Sequence, residues 1–366
     1  MTLPVVQADI AQPVCHVWHT EGMGLSGILA WMWRLRDSFQ KEMGIGVRLV
    51  DLRLTPYQFA QVNGNPGDFY DESLATPMEF LAFLKRERRA VHLVNHAFQY
   101  VDMLLQHKPD LLQRLNLVGI CHTDQDYYYL NIQRFEPYFK KIIAVSPECA
   151  AELKRRMPNS AHKVEMLPAW VLPVREACGR PDYHARPLKL IYTGRVLQHQ
   201  KRVFDLVQLA WELFRLGVQA ELTIAGDGPD LAALKDAFEK VPDKIPVHFE
   251  PVRPPWEMEP LLVKHQIFVQ VSEFEGASVS LMEAMLCRLV PVVTKTRSGH
   301  QLLRDGENAL TAGVGEMVTL AEHIRVLSLD QKRTQNLAEA AHLTAASYLT
   351  ALEYPKNFER VIRSCI

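Results

Sequence analysis

Two carboxylates, Glu275 and Glu283, stand with seven residues between them across Gly276-Ala-Ser278-Val279-Ser-Leu-Met. The apolar run before them, Gln266 to Val271, fits a buried strand, Val279 to Arg288 fits a helix, and Leu289 to Thr294 fits the next strand. In a parallel α/β sheet, strand-to-helix turns line the ligand crevice. The helix start offers free backbone N–H groups to an anion such as a phosphate. That makes Gly276, Ser278 and Val279 candidate donor contacts. Carboxylates are poor phosphate ligands but good acceptors for sugar hydroxyls, so the combination points to a nucleotide-sugar site. Ser280-Leu-Met-Glu283 also fits a capping box, in which case Glu283 is structural.

Further candidates lie upstream. Ile191-Tyr-Thr-Gly194-Arg195 ends an apolar strand, and Lys201 follows six residues on. Gly194 allows a tight turn, and the two cations could converge on a diphosphate, although a solvated polar turn reads the same way. Gly226-Asp-Gly-Pro229 closes the next strand and opens a helix, a structural role for glycine and proline. His122 ends another strand and should point into a crevice, the alternative being a packed histidine. Tyr127-Tyr-Tyr129 follows it and fits a packing role.

These motifs, in this order, resemble the retaining GT-B glycosyltransferases of family 4, with their E-x7-E motif. The resemblance covers the C-terminal half in register and the N-terminal half more weakly. It implies transfer of a sugar from a UDP- or GDP-linked donor to a hydroxyl acceptor, without cofactor or metal. On that pattern Glu275 accepts hydrogen bonds from donor-sugar hydroxyls, and Glu283 from the ribose diol. Arg195 and Lys201 take the diphosphate, Val252 lies where the base is held, and His122 and Gly24 face the reacting centre. The acceptor would be a glycan or a lipid-linked or cell-surface polysaccharide precursor. The chain departs from the pattern at Ala277 and Ser278, which replace Phe-Gly, at Gln301, which replaces Glu, and at Ala309, which replaces Gly. A catalytically inactive binding subunit therefore stays open as an alternative.

Two other motifs compete. Gly22-Met-Gly24-Leu-Ser-Gly27 matches G-x-G-x-x-G between a strand and a helix, and Asp51 ends the next strand. That is a dinucleotide fingerprint, so an NAD-dependent oxidoreductase is the second reading. Asp124-Gln-Asp126 is a D-x-D, a pair that could hold a divalent cation with His122. The GT-B resemblance makes it coincidental or acceptor-facing.

The elements that must position these groups alternate strand and helix, which implies parallel sheets covered on both faces. In the N-terminal half, strands are expected at Val14 to His19, Gly46 to Leu52, Val91 to Asn95, Leu115 to His122 and Lys141 to Val145. Helices are expected at Gly27 to Met43, Pro77 to Arg88 and Pro147 to Arg156. A proline-dotted, aperiodic stretch follows. Strands then resume at Leu188 to Thr193, Glu221 to Ala225 and Val247 to Glu250, with helices at Val203 to Leu216 and Asp230 to Lys240. The fold class is α/β with two Rossmann-like domains, 1–171 and 188–347, a linker at 172–187, and a terminal segment at 348–366. The resemblance makes that segment a helix crossing back to the first domain. A formal net charge of −1 argues against a nucleic-acid partner. No apolar run approaches the roughly twenty residues of a membrane span, and the start lacks the pattern of a secretion signal. Six scattered cysteines form no C-x-x-C pair, so the cytoplasm is the expected compartment. The basic clusters Lys85–Arg89 and Lys154–Arg156 could serve peripheral contact with a membrane face, or be solvated helix faces.

Overall fold

A largely apolar strand must be covered on both faces, and β4 (Val91–Val94) and β11 (Ile267–Gln270) are buried at every residue. The computed structural model describes residues 14–20, 27–42, 45–52, 70–168, 179–251, 253, 255–296 and 301–366. In the first domain β1 (Val14–His19), α1 (Gly27–Glu42), β2 (Gly46–Leu52), β3 (Glu72–Leu74), α2 (Pro77–Arg86) and β4 are followed by α3 (Phe98–His107), α4 (Pro109–Leu112), β5 (Asn116–Cys121), α5 (Asp126–Phe135), β6 (Phe139–Ala144), α6 (Pro147–Arg156) and β7 (Val164–Met166). The second domain holds β8 (Leu188–Thr193), α7 (Gln198–Lys201), α8 (Asp205–Arg215), β9 (Ala220–Ala225), α9 (Leu231–Glu239), β10 (Val247–Glu250), α10 (Pro255–Leu262), β11, α11 (Val279–Leu286), β12 (Val290–Thr294), β13 (Leu310–Ala312), α12 (Met317–Leu329) and α13 (Gln331–Leu352). α14 (Tyr354–Arg363) ends the chain.

The strands pair in parallel, in the orders β3-β2-β1-β4-β5-β6-β7 and β10-β9-β8-β11-β12-β13. Each order reverses once, between β1 and β4 and between β8 and β11. Such reversals leave a crevice at the carboxyl ends of the strands, where open α/β sheets bind ligands. Both crevices face the same interdomain cleft.

Local sequence explains the best-defined helix starts. Thr76 accepts from Glu79 N at 3.2 Å and Glu79 Oε2 accepts from Thr76 N at 3.0 Å, a complete capping box ahead of Pro77. Ser146 Oγ accepts from Cys149 N at 3.1 Å and Pro147 opens α6, which begins and ends where its sequence pattern puts it.

Two apolar cores sandwich each sheet. The terminal segment, expected as one helix over 348–366, is divided. α13 runs on to Leu352 against the second domain, Glu353 turns the chain with φ 41°, and α14 alone crosses back. Tyr354, Phe358, Val361 and Ile362 fill the first domain's core beside Val17, Leu29 and Trp31. Trp31 Nε1 donates to Tyr354 Oη at 2.9 Å.

Of the expected linker, 172–178 lies outside the described residues. Its remainder docks on the second domain, where Tyr183 Oη donates to Arg288 O at 2.7 Å and Gln266 Nε2 to Asp182 O at 2.7 Å.

Candidate active site

Between the domains lies a cleft of about 500 Å³ whose walls include His122, Gly194, Arg195, Lys201, Glu275, Gly276, Ser278, Val279 and Glu283. Of the expected site residues, Gly24 and Val252 lie outside the described residues, as does most of the glycine fingerprint. The starts of α1 and α11 meet across the cleft: a Cβ built on Gly27 would lie 3.6 Å from the Val279 side chain.

Glu275 follows β11 and is 3% exposed. A carboxylate so buried needs donors, and Oε1 takes three. Lys201 Nζ donates at 2.7 Å, and Gln270 Nε2 and Ser272 Oγ each at 2.5 Å; Oε2 also accepts from Lys201, at 2.9 Å. Lys201 ends α7, which the sequence pattern does not signal. Gln270, a polar residue inside an otherwise apolar run, is the signal in the sequence for this network.

Ser278 is the residue before α11, yet its hydroxyl donates to Gln270 Oε1 at 3.0 Å and does not cap the helix. The amides at the start of α11 are thus left without a side-chain cap, as an anion site requires. Because α11 starts at Val279, Ser280 is already inside it, and the capping-box reading of Ser280–Glu283 does not hold.

Glu283 projects into the cleft one turn along α11. Its Oε1 accepts from Arg34 Nη2 of α1, an ion pair between the two domains that nothing in the sequence spacing indicated. Arg34 is 5% exposed and does not line the cleft, so it backs Glu283 from behind.

The Gly194-Arg195 turn is held by the next loop. Gly194 N donates to Ala225 O at 3.2 Å and Val196 N to Asp227 O at 2.8 Å. A Cβ on Gly226 would lie 1.9 Å from Gly194 O, and one on Gly228 2.2 Å from Val196 O. The glycines of Gly226-Asp-Gly-Pro229 are therefore required by close backbone approach.

From the first domain, His122 follows β5 and its Nε2 donates to Asn95 Oδ1, which follows β4. Burial, and then the His96 and His19 rings, push its pKa down to about 3, so the ring is neutral at physiological pH. Its carbonyl would lie 1.9 Å from a Cβ on Gly276, and Thr123 forms a backbone bridge with Gly276. The first domain's wall of the cleft therefore touches the turn that carries Glu275.

The D-x-D does not converge. Asp124 accepts from Tyr129 Oη at 2.6 Å, while Asp126 pairs with Arg156 at 2.6 Å. Among the described residues, no group of three His, Cys, Asp or Glu is placed to hold a metal ion. Asp51 is buried at the end of β2. Gln301 donates to Glu148 of α6, away from the main cleft. In the basic clusters, Arg86 pairs with Glu72 and Glu87, and Arg155 and Arg156 pair with Glu152. Among the described residues no helix is long and apolar enough to cross a membrane.

Residues 183–344 match the family model described as glycosyl transferases group 1. The N-acetyl-alpha-D-glucosaminyl L-malate synthase of Bacillus anthracis is 26% identical over 161 residues, 44% of this chain and 42% of that protein's length. The pneumococcal O-GlcNAc transferase GtfA, solved with UDP and GlcNAc, superposes with a TM-score of 0.73 at 12% identity, covering 97% of this chain and 99% of that one. A mutant of S. aureus TarM, solved with Fondaparinux, alpha-GlcNAc-glycerol and UDP, gives 0.70 at 10% identity, covering 96% and 100%. At such identities the likeness is one of fold. Residues 183–344, a little under half of the chain, are thus similar to the glycosyl transferases group 1 family, and the chain as a whole has the two-domain GT-B fold.

Proposed function

We propose that the protein is a glycosyltransferase that moves a sugar from a nucleoside diphosphate donor to a hydroxyl acceptor, with retention of configuration and without a metal. The observation that carries this reading is the pair of Lys201 with the buried Glu275, in one interdomain cleft with Arg195 and an uncapped helix start. The donor's diphosphate would lie against Arg195, Lys201 and the first amides of α11, with Gly194, Gly276, Ser278 and Val279 allowing its approach. Glu275 would accept from donor-sugar hydroxyls and Glu283 from the ribose diol, while Arg34 fixes the Glu283 carboxylate.

In the transfer, the bond from the anomeric carbon to the diphosphate oxygen breaks and its electron pair leaves with the diphosphate. The acceptor oxygen forms the new bond on the same face, and its proton passes to the departing diphosphate oxygen. Fixed positive charge aimed at that oxygen stabilises the transition state. His122, being neutral, would serve the sugar as a hydrogen-bonding group and not as an acid. The family match and the UDP present in the similar structures support this reading. Cytoplasmic location and peripheral membrane contact belong to it as expectations, although ion pairing of Arg86, Arg155 and Arg156 lessens the charge available for a membrane.

The test is a thermal-shift and calorimetry panel of UDP-, GDP- and ADP-sugars with NAD(H), on wild type, Glu275→Ala and Glu283→Ala. One sugar-nucleotide class should bind. Glu283→Ala should weaken free nucleoside diphosphate, whereas Glu275→Ala should spare that affinity and abolish transfer. NADH binding that Asp51→Ala removes, with no response to any sugar nucleotide, would replace this reading with the oxidoreductase one.

A further inference from the structure

The two walls of the cleft differ in charge. The second domain contributes Arg195, Lys201, Arg253, Glu275 and Glu283. Among the described residues, the first domain's wall carries no Lys, Arg, Asp or Glu; its larger members are Trp31, His96, His122, Gln125, Tyr127 and Tyr128. Resting on the glycosyl-transfer reading above, we propose that this wall is an acceptor subsite for a neutral carbohydrate, with the Tyr127 ring as the platform on which an acceptor sugar stacks.

Tyr127 is 44% exposed on the first turn of α5, yet its ring is fixed by neighbours. It meets His96 at 5.2 Å, tilted by 31°, and Tyr128 at 5.4 Å in an edge arrangement. Leu130, three residues on and so on the same helix face, is 61% exposed and extends the apolar strip. An exposed, pre-oriented aromatic ring at the mouth of a polar cleft suits the apolar C–H face of a sugar, whose hydroxyls then reach the polar groups around it.

An anionic acceptor finds no such match. Against the described residues of this wall its charge would lose water without gaining a cation. Among the described residues, the carboxylates Asp124 and Asp126 lie close to Tyr127 along the chain, and Arg156 is engaged by both Asp126 and Glu152 at 2.6 Å. The His122 ring supplies no charge there, since burial keeps it neutral down to about pH 3.

The experiment titrates acceptor analogues into the full-length protein saturated with its nucleoside diphosphate, read by saturation-transfer NMR and calorimetry. The probes are methyl glucoside, methyl N-acetylglucosaminide and maltose as neutral sugars, against L-malate, glycerol 3-phosphate and glucuronate as anions. At least one neutral sugar should bind in preference to every anion. Tyr127→Ala should weaken that binding by about five- to tenfold, the scale of one lost aromatic contact, while Tyr127→Phe retains it and nucleoside diphosphate affinity is unchanged in both. The proposal is overturned if any anion binds more tightly than the neutral sugars, if none of the neutral sugars binds, or if Tyr127→Ala changes nothing. Hydrolysis of the sugar nucleotide, followed separately, reports on the glycosyl-transfer reading itself.

Discussion

Glu275 and Glu283 share a motif but have different chemical surroundings. Glu275 is a buried acceptor saturated on one oxygen by a lysine, an amide and a hydroxyl. Glu283 lines the cleft and is tied to the opposite domain. Loss of Lys201 or Arg195 should reduce turnover on the order of a hundredfold, as when one donor to developing charge is removed. Steady-state transfer rates with Lys201→Ala and Arg195→Ala check this. Gly276 has a steric role: an alanine there would drive its Cβ into the His122 carbonyl. Gly276→Ala should therefore hold the domains apart and slow transfer by at least about tenfold, read from steady-state transfer rates. Metal dependence is decided at this scale too. With Asp124 and Asp126 each occupied by a different neighbour, activity should survive dialysis against EDTA and Asp126→Ala should be mild. Complete loss in EDTA, restored by manganese, would make the D-x-D a metal site.

Among the elements, β1 and β4 carry an unusual load. His16 and His92 stack at 5.3 Å inside the first domain, both fully buried. Burial, and then His16, pushes His92 down to about 3 from an ordinary 6.5. The folded state keeps this ring neutral while the unfolded chain binds a proton below pH 6.5, so its contribution is present above 6.5 and declines as pH falls towards 3. Between pH 7.5 and 5 the loss should be on the order of 1–2 kcal/mol, read from urea midpoints at the two pH values. His92→Phe should flatten that decline. α14 has the opposite character, since Phe358 at its centre is packed into the first domain's apolar core. Phe358→Ala should cost about 3–5 kcal/mol and lower the melting of the first domain more than that of the second, seen by calorimetry.

For the whole molecule, the relevant variable is how the two domains meet. Arg34 to Glu283, Thr123 to Gly276, and α14 on the first core all cross the cleft. Of these, the Arg34 pair is the one that also touches the proposed ribose site, so closing the domains and holding the nucleotide are coupled through it. Arg34→Met should enlarge the radius of gyration in solution scattering and lower turnover, with each domain's melting nearly unchanged. Scattering identical to wild type would remove that coupling.

The alternation of apolar strands and amphipathic helices determined two α/β domains, because burial on both faces leaves a continuous apolar signature. Spacing likewise singled out Glu275, Glu283, Arg195, Lys201 and His122, which tertiary structure brings to one cleft. Short edge strands such as β3 and β7, of three residues each, are too brief to show a period. α3 and α5 start without a side-chain cap, so no residue announces them. Arg34, Asn95 and Gln270 were decided by the fold alone. Their partners lie 249, 27 and 5 residues away, and the meaning of each polar side chain is set by what the opposing element presents to it. The same holds for the proposed acceptor wall, uncharged among the described residues, which is a property of a surface assembled from α1, α5 and three strand ends and is written in no single stretch of the chain.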